Sequence, residues 1–343
     1  YLSSSGCLSA GRQKAEHALF PYVTDDLLHK NSHVTGPVTC ISVDMDGKKY
    51  SWQPFSDQIN NYKKEQSLYK NSLGNKVVFE EINHTLGLTF LYSWEASAKY
   101  GFVKKTRLIN HSDKELHIKL IDGLRNILPA GVSLRTQQEM SNLANAYKVS
   151  ECNSDYKYAL YYMNALLMDK PDPGESLFSN IVWSYSTESI KLSVNEKSIN
   201  TFLSKSEFET DHLLKGKEGS FLSYIHRPLL PSKEITWYII ADVQKSQSEI
   251  NVIISDLKKN DCIEDKLEKS LADNYNAFEK NIGMADGFQC TNIDMNDLHH
   301  TANVTYNVLR GGIFFDNYTI QKDSFELFLQ KRSKKTFEAY QTN

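Results

Sequence analysis

The periodicity of the chain changes once, near residue 245 of 343. Before that point apolar residues alternate over short runs broken by turn residues, and after it they recur at helical spacing. The clearest stretch of the first part covers residues 101–125. Phe102, Val103, Arg107, Leu108 and Ile109 lead into the turn Asn110-His111-Ser112-Asp113, and Leu116, Ile118 and Leu120 then alternate against His117, Lys119 and Ile121. Strands first and helices after is the pattern of an α+β chain or of two separate domains.

The rest of the first part fits the same reading. Residues 37–55 predict a hairpin about Asp46-Gly47, and 76–82, 88–95 and 101–110 predict three successive strands. Further strands are expected at 156–169, 178–187, 189–194, 218–226 and 233–243, with Lys170-Pro171-Asp172-Pro173-Gly174 a break between two of them. Residues 131–147 suit a short helix or long loop. The fold class expected is therefore mainly β with C-terminal helices: a large antiparallel two-sheet sandwich over 1–245, then a helical part over 246–343. In that helical part Ile250, Ile253, Ile254 and Leu257 share one face, as do Leu267, Leu271, Tyr275 and Phe278. Asp294 is placed to cap a third helix carrying Leu298, Ala302, Tyr306 and Leu309, which ends at Gly311-Gly312. A fourth helix is expected from about Gln321 to Tyr340. The chain begins at Tyr1 inside a strand and stops in helical sequence, so it reads as part of a longer protein.

Composition narrows the function classes. Hydrophobic residues at 40%, charged residues at 24% and a net charge of -3 describe a soluble globular protein without a basic footprint for nucleic acid. The densest basic run, Lys331-Arg332-Ser333-Lys334-Lys335, reads as the solvated face of a helix. No apolar run reaches the roughly 20 residues needed to span a bilayer, no membrane association is expected, and a cytoplasmic location is favoured over a periplasmic one. Cys7, Cys40, Cys152, Cys262 and Cys290 contain no C-x-x-C pair, so they read as free, mostly buried thiols rather than disulfide partners or zinc ligands. Nucleotide-binding glycine motifs and a G-x-S-x-G elbow are absent. His299 and His300 point about 100° apart on a helix and cannot readily share a metal. The sequence calls for no cofactor and no metal.

Cleaving a glycosidic bond needs an acid and a base or nucleophile across the sugar. Glu80, Glu81, Asp122, Glu139, Glu151, Asp242 and Asp316 are available, yet their spacing picks out no pair, and each reads as a solvent-facing charge or turn residue. No catalytic residue is assigned. Asp316 is the best single carboxylate because it follows Arg310-Gly311-Gly312 in a helix-to-helix connection. Aromatic residues on a sandwich either fill its core or stack on the apolar faces of sugar rings. The sugar-binding candidates are Trp52, Trp94, Arg310 and Asp316.

Several stretches together carry a resemblance. Tyr1-Leu2-Ser3-Ser4-Ser5-Gly6-Cys7-Leu8-Ser9, Tyr50-Ser51-Trp52-Gln53-Pro54-Phe55 and Arg107-Leu108-Ile109-Asn110-His111-Ser112-Asp113 with the strand after it resemble the N-terminal part of glycoside hydrolase family 94, the cellobiose and chitobiose phosphorylase group. Asp122-Gly123-Leu124-Arg125 and Asn307-Val308-Leu309-Arg310-Gly311-Gly312 are similar to a divergent bacterial branch of it. The resemblance implies a galactose mutarotase-like β-supersandwich, linker helices and then an (α/α)6 barrel holding the catalytic aspartate and the phosphate site. It implies an oligosaccharide or disaccharide substrate, inorganic phosphate as co-substrate if the parent is a phosphorylase, a catalytic barrel in the same polypeptide as partner, and a homodimer as one arrangement. Residues 13–26 depart from the phosphorylase pattern, so hydrolysis, or loss of activity, stays open beside phosphorolysis. Two alternatives stand next to this reading. One is a non-catalytic carbohydrate-binding or assembly module. The other is a self-contained mutarotase-like epimerase, which needs a His and a Glu on one concave face; His84, His117 and His226 are available, but no motif places one beside Glu81 or Glu234.

Overall fold

The computed structural model describes every residue except 1, 5, 13, 15, 22, 24, 57–60, 166–175, 260–261, 312–320 and 342–343. The break at Lys170-Pro171-Asp172-Pro173-Gly174 and the candidate Asp316 lie outside the described residues. The smaller of two sheets contains β1 (Gly36–Met45), β2 (Lys48–Trp52), β7 (Leu116–Ile127), β11 (Lys191–Ser193) and β13 (Gly219–Leu229), in the order β11-β13-β7-β1-β2. The larger contains β3 (Lys64–Lys70), β4 (Val77–Asn83), β5 (Leu88–Ser97), β6 (Gly101–Asn110), β8 (Lys148–Asn153), β9 (Tyr158–Met163), β10 (Phe178–Ser186), β12 (Leu213–Lys215) and β14 (Glu234–Ser246). Its order is β12-β8-β9-β10-β14-β6-β5-β4-β3. The helices are α1 (Asp25–Lys30), α2 (Leu134–Glu139), α3 (Ser141–Asn145), α4 (Lys197–Lys205), α5 (Gln247–Lys259), α6 (Ile263–Met284), α7 (Asp294–Leu309), α8 (Lys322–Arg332) and α9 (Lys334–Gln341). The mainly β fold with C-terminal helices expected from the sequence is the fold observed.

The hairpin about Asp46-Gly47 joins β1 to β2 with Val43 opposite Tyr50, and both turn residues have positive φ, as the tight hairpin turn requires. Residues 101–125 behave differently. They form β6 and β7 as the sequence suggests, but these strands belong to different sheets. β6 pairs with β5 and β14, whereas β7 pairs with β1 and β13. The turn is a corner between sheets rather than a hairpin. Asn110, fully buried, holds it: its Nδ2 donates to the carbonyls of Lys114 (2.8 Å) and Leu229 (3.0 Å), and its Oδ1 accepts from the Ser112 amide (2.9 Å) and hydroxyl (2.7 Å). Alternation of apolar residues is the same for a hairpin and a corner, so the pattern alone could not separate them.

Alternate residues of each strand face opposite ways, and this sorts the core into layers. Ile41, Val43, Ile118, Leu120 and Leu124 from the smaller sheet meet Phe90, Leu108, Trp237 and Ile239 from the larger one. The opposite face of the larger sheet, with Val103, Ile181, Trp183, Tyr238 and Ile240, is covered by Ile250 and Leu257 of α5 and by Ile263, Leu267 and Leu271 of α6. Two glutamates four residues apart on α6, Glu264 and Glu268, both accept from the Tyr238 hydroxyl, at 2.9 and 2.8 Å. The opposite face of the smaller sheet, with Cys40, Ile121 and Leu222, is covered by Ile199 and Phe202 of α4, a helix the sequence reading did not anticipate.

Close approach within the smaller sheet depends on Gly123. A Cβ there would lie 2.1 Å from the Phe221 carbonyl oxygen of β13. Gly123→Ala is expected to lower stability by about 1–3 kcal/mol through overpacking, read as a shift in the urea unfolding midpoint; an unchanged midpoint would show that β7 and β13 can separate freely.

The chain divides into two compact units, Tyr1–Lys70 with Lys76–Leu271, and Asn71–Asn75 with Ala272–Asn343. In the second, Thr301 Oγ1 on α7 donates to the Gly287 carbonyl at 2.9 Å, and Phe325 of α8 meets Tyr340 of α9 edge-on with ring centroids 5.5 Å apart. The single helix expected over 321–340 is two helices. Ser333, in an extended conformation (φ -158, ψ 100), interrupts it, and its hydroxyl caps α9 by accepting from the Thr336 amide at 3.3 Å. Cys7 and Cys40 are buried, but Cys262 and Cys290 are exposed, against the expectation of mostly buried thiols. No helix among the described residues is long and apolar enough to cross a membrane.

Candidate functional site

Three carboxylates read from the sequence as solvent-facing are fully buried: Glu81, Asp122 and Asp242. Burial is tolerated because each is surrounded by donors. Asp122 projects inward from β7 and binds the opposite sheet. Its Oδ1 accepts from Lys104 Nζ (2.5 Å) and Thr39 Oγ1 (2.7 Å), and its Oδ2 from Trp237 Nε1 (2.7 Å). Lys104 is equally buried and lies over the Tyr92 ring, 5.0 Å from its centroid. Burial pushes this ammonium below the usual lysine range, and the adjacent Asp122 charge opposes that shift. Asp242 is held by both oxygens to Arg12 Nη1 at 2.9 Å and by Lys245 at 2.9 Å.

Glu81 does the same for the crossover from β2 to β3. Its Oε1 accepts from Trp52 Nε1 (2.7 Å), and its Oε2 from the Phe55 amide (2.8 Å) and Gln66 Nε2 (2.6 Å). Phe55 has φ +62, a left-handed conformation that a bulky residue rarely adopts. The Glu81 bond and an aromatic box hold it there: Tyr92, Phe79 and Phe90 have centroids 5.6, 6.0 and 6.2 Å from its ring.

These two buried carboxylates stand behind the walls of one cavity of about 520 Å³. β2 pairs with β1 only from Ile41 to Met45, so the first half of β1 has β7 on one side and the cavity beside it. Thr39 and Tyr92 line it on the side fixed by Asp122 and Lys104, and Pro54 and Phe55 line it on the side fixed by Glu81. Arg125, Glu196 and Asn200 complete it. Arg125 donates to the carbonyls of Ser32 (2.9 Å) and His33, its Nε is buried without a partner, and its guanidinium lies 3.9 Å from Glu196. A second cavity of about 350 Å³ also uses Glu196, and is lined by Asn126, Lys148 and Glu218 among others. There Lys148 and Glu218 are 3.7 Å apart, and Asn126, like Phe55, has positive φ (+54).

The sequence candidates fall elsewhere. Trp52 and Trp94 are core residues of the sandwich, 1% and 7% exposed, so neither presents a stacking face at the surface. Arg310 follows α7 in the second unit, where its guanidinium stacks on Tyr306 (4.3 Å) and donates to that hydroxyl (2.8 Å). Thr39, Arg125, Glu196 and Asn200 were not singled out. Parity offered a signal for the buried groups: Asp122 continues the inward series Ile118, Leu120 and Leu124, and Glu81 continues Phe79. Of the histidines and glutamates weighed for an epimerase, His84 meets Glu65 at the exposed surface (3.4 Å), Glu81 is enclosed, and Glu234 pairs with Arg107.

No family model and no curated protein matches this sequence. Among solved structures, the chain is similar to a bacterial glucoamylase in complex with acarbose, at 9% identity and TM-score 0.45 over 79% of this chain and 35% of that one. It is also similar to a candidate kojibiose phosphorylase from the human microbiome, at 12% identity and TM-score 0.37 over 68% of this chain and 26% of the other. A family GH92 α-mannosidase from Bacteroides thetaiotaomicron matches at 12% identity and TM-score 0.33, over 67% and 25%. The chain thus spans about a third or less of the length of these structures.

Proposed function

We propose that this chain is the carbohydrate-associated sandwich and linker of a glycoside phosphorylase or hydrolase of the family 94 type. In this reading it forms one wall of a sugar cleft and packs against a catalytic helical barrel of the same polypeptide. The observation that carries the reading is the helical unit that follows the sandwich. α7 and α8 leave Met295, Leu298, Tyr306, Leu309, Leu327 and Phe328 exposed, and exposed apolar side chains gathered on a few helices suit a further packing partner. The sequence resemblance supplies the identity of that partner.

The buried carboxylates support the division of labour. A general acid must deliver its proton to the leaving oxygen of the sugar, but Glu81, Asp122 and Asp242 are enclosed and bound by protein donors. In phosphorolysis the acid would protonate the glycosidic oxygen as phosphate oxygen attacks the anomeric carbon, giving a sugar 1-phosphate and a free sugar with inversion; in hydrolysis water replaces phosphate. Those groups belong to the barrel in this reading. The 343-residue chain is therefore expected to release neither sugar 1-phosphate nor monosaccharide from disaccharides, with or without phosphate. Turnover by the purified chain would overturn the reading and point to a self-contained sandwich enzyme.

A further inference from the structure

The cavity beside β1 has a wall chemistry that selects a ligand class. Its cation and that of the neighbouring cavity each face one carboxylate: Arg125 lies 3.9 Å from Glu196, and Lys148 lies 3.7 Å from Glu218. The charges balance locally, so neither cavity offers a net positive field to a phosphate or an acidic sugar. Both separations exceed the roughly 3.2 Å limit of an N–H···O hydrogen bond. A group that donates and accepts at once can join such a cation to its carboxylate, and a hydroxyl does both. Beside the Arg125–Glu196 pair stands Asn200, whose amide both donates and accepts. Pro37, Pro54 and Phe55 add apolar faces of the kind that sugar C–H surfaces meet.

The shape is fixed before any ligand arrives. Phe55 is held in its left-handed conformation by Glu81, and Thr39 is held by Asp122. Non-glycine residues kept in sparsely populated backbone regions mark places where the surrounding structure over-determines the geometry. Here one such residue lines each cavity, Phe55 in the larger and Asn126 in the smaller. A volume of about 520 Å³ is within the range of small-molecule sites.

We infer that the cavity lined by Thr39, Phe55, Arg125, Glu196 and Asn200 binds a short neutral oligosaccharide on the sandwich itself. The site goes beyond the reading above, because it requires no barrel and performs no chemistry. Glu196 accepts from sugar hydroxyls, Arg125 and Asn200 donate to them, and Phe55 meets a ring face.

Calorimetric titration of the 343-residue chain with maltotriose, cellotriose and mannotriose tests it, with inorganic phosphate and glucose 1-phosphate as anionic probes. At least one neutral trisaccharide is expected to bind with a dissociation constant of about 10 µM to 1 mM, undisturbed by phosphate. Glu196→Ala and Asn200→Ala, both at exposed positions, are each expected to weaken binding about tenfold without moving the melting temperature. Absence of binding by all three trisaccharides, binding confined to the anionic probes, or binding unchanged in both variants would each overturn the assignment. Turnover of a disaccharide by the chain would overturn the function proposed above and leave this site standing, so the two failures are distinguishable.

Discussion

Asp122→Ala is expected to destabilise the protein by about 3–5 kcal/mol, the loss that follows when one partner of a buried ion pair is removed. Lys104 and Asp122 are both fully buried and 2.5 Å apart, so the variant leaves an ammonium in the core with no counter-charge. It also strips the acceptor from Trp237 Nε1 and Thr39 Oγ1. The loss has a pH signature. Without Asp122 no neighbouring anion offsets the effect of burial on Lys104, so its folded pKa falls further below its unfolded value. The unfolded chain then binds more protons than the folded one in the alkaline range, and stability rises with pH there. The variant should accordingly recover part of its loss as pH climbs toward the ordinary lysine value. Urea unfolding at several pH values reads this directly, and a variant whose deficit stays constant or grows with pH would contradict it. Replacing both partners, Lys104→Met with Asp122→Leu, is expected to come out closer to the parent than Asp122→Ala alone, because no buried charge remains.

The same pair shows what the sequence made legible. The switch near residue 245, the strands around it and the hairpin at Asp46-Gly47 follow from local alternation and turn chemistry, which act over a few residues. β6 and β7 lie in different sheets, and the corner between them is held by Asn110 reaching the Leu229 carbonyl, a contact across 119 positions that no local pattern encodes. Likewise, a carboxylate in an alternating strand reads as solvent-facing until something is known to receive it. Lys104, Thr106 and Asp122 fall on inward positions of two strands, but only the packing of one sheet on the other reveals that they meet. The cavity was less legible still. Thr39, Phe55, Arg125 and Glu196 come from four separate parts of the chain and share no motif. Trp52, a sugar-binding candidate in the sequence, serves in the structure as a donor to Glu81 behind that cavity wall.

Glu81→Ala joins stability to shape. The substitution leaves the indole of Trp52, 1% exposed, and the amide of Phe55 without an acceptor, while Gln66, at the surface, can turn to water. Two orphaned donors at about 1–3 kcal/mol each, together with the small void left by the side chain, give an expected loss of about 3–5 kcal/mol. Glu81→Gln retains the volume and one acceptor oxygen but sets an amide nitrogen against the other donors, so it should fall between the parent and the alanine variant. Phe55 gives the experiment its second readout. Once its amide hydrogen bond is gone, φ +62 is held by the aromatic box and by the turn that the Ser56 amide closes on the Gln53 carbonyl (3.2 Å), and the segment that carries Pro54 and Phe55 is held less firmly. Trisaccharide binding should then weaken in both variants, at temperatures where each is still folded. A rigid scaffold supporting an independent cavity would instead show lost stability with unchanged affinity. The order of effects expected is parent, glutamine, alanine in both unfolding midpoint and affinity, because one carboxylate sets both.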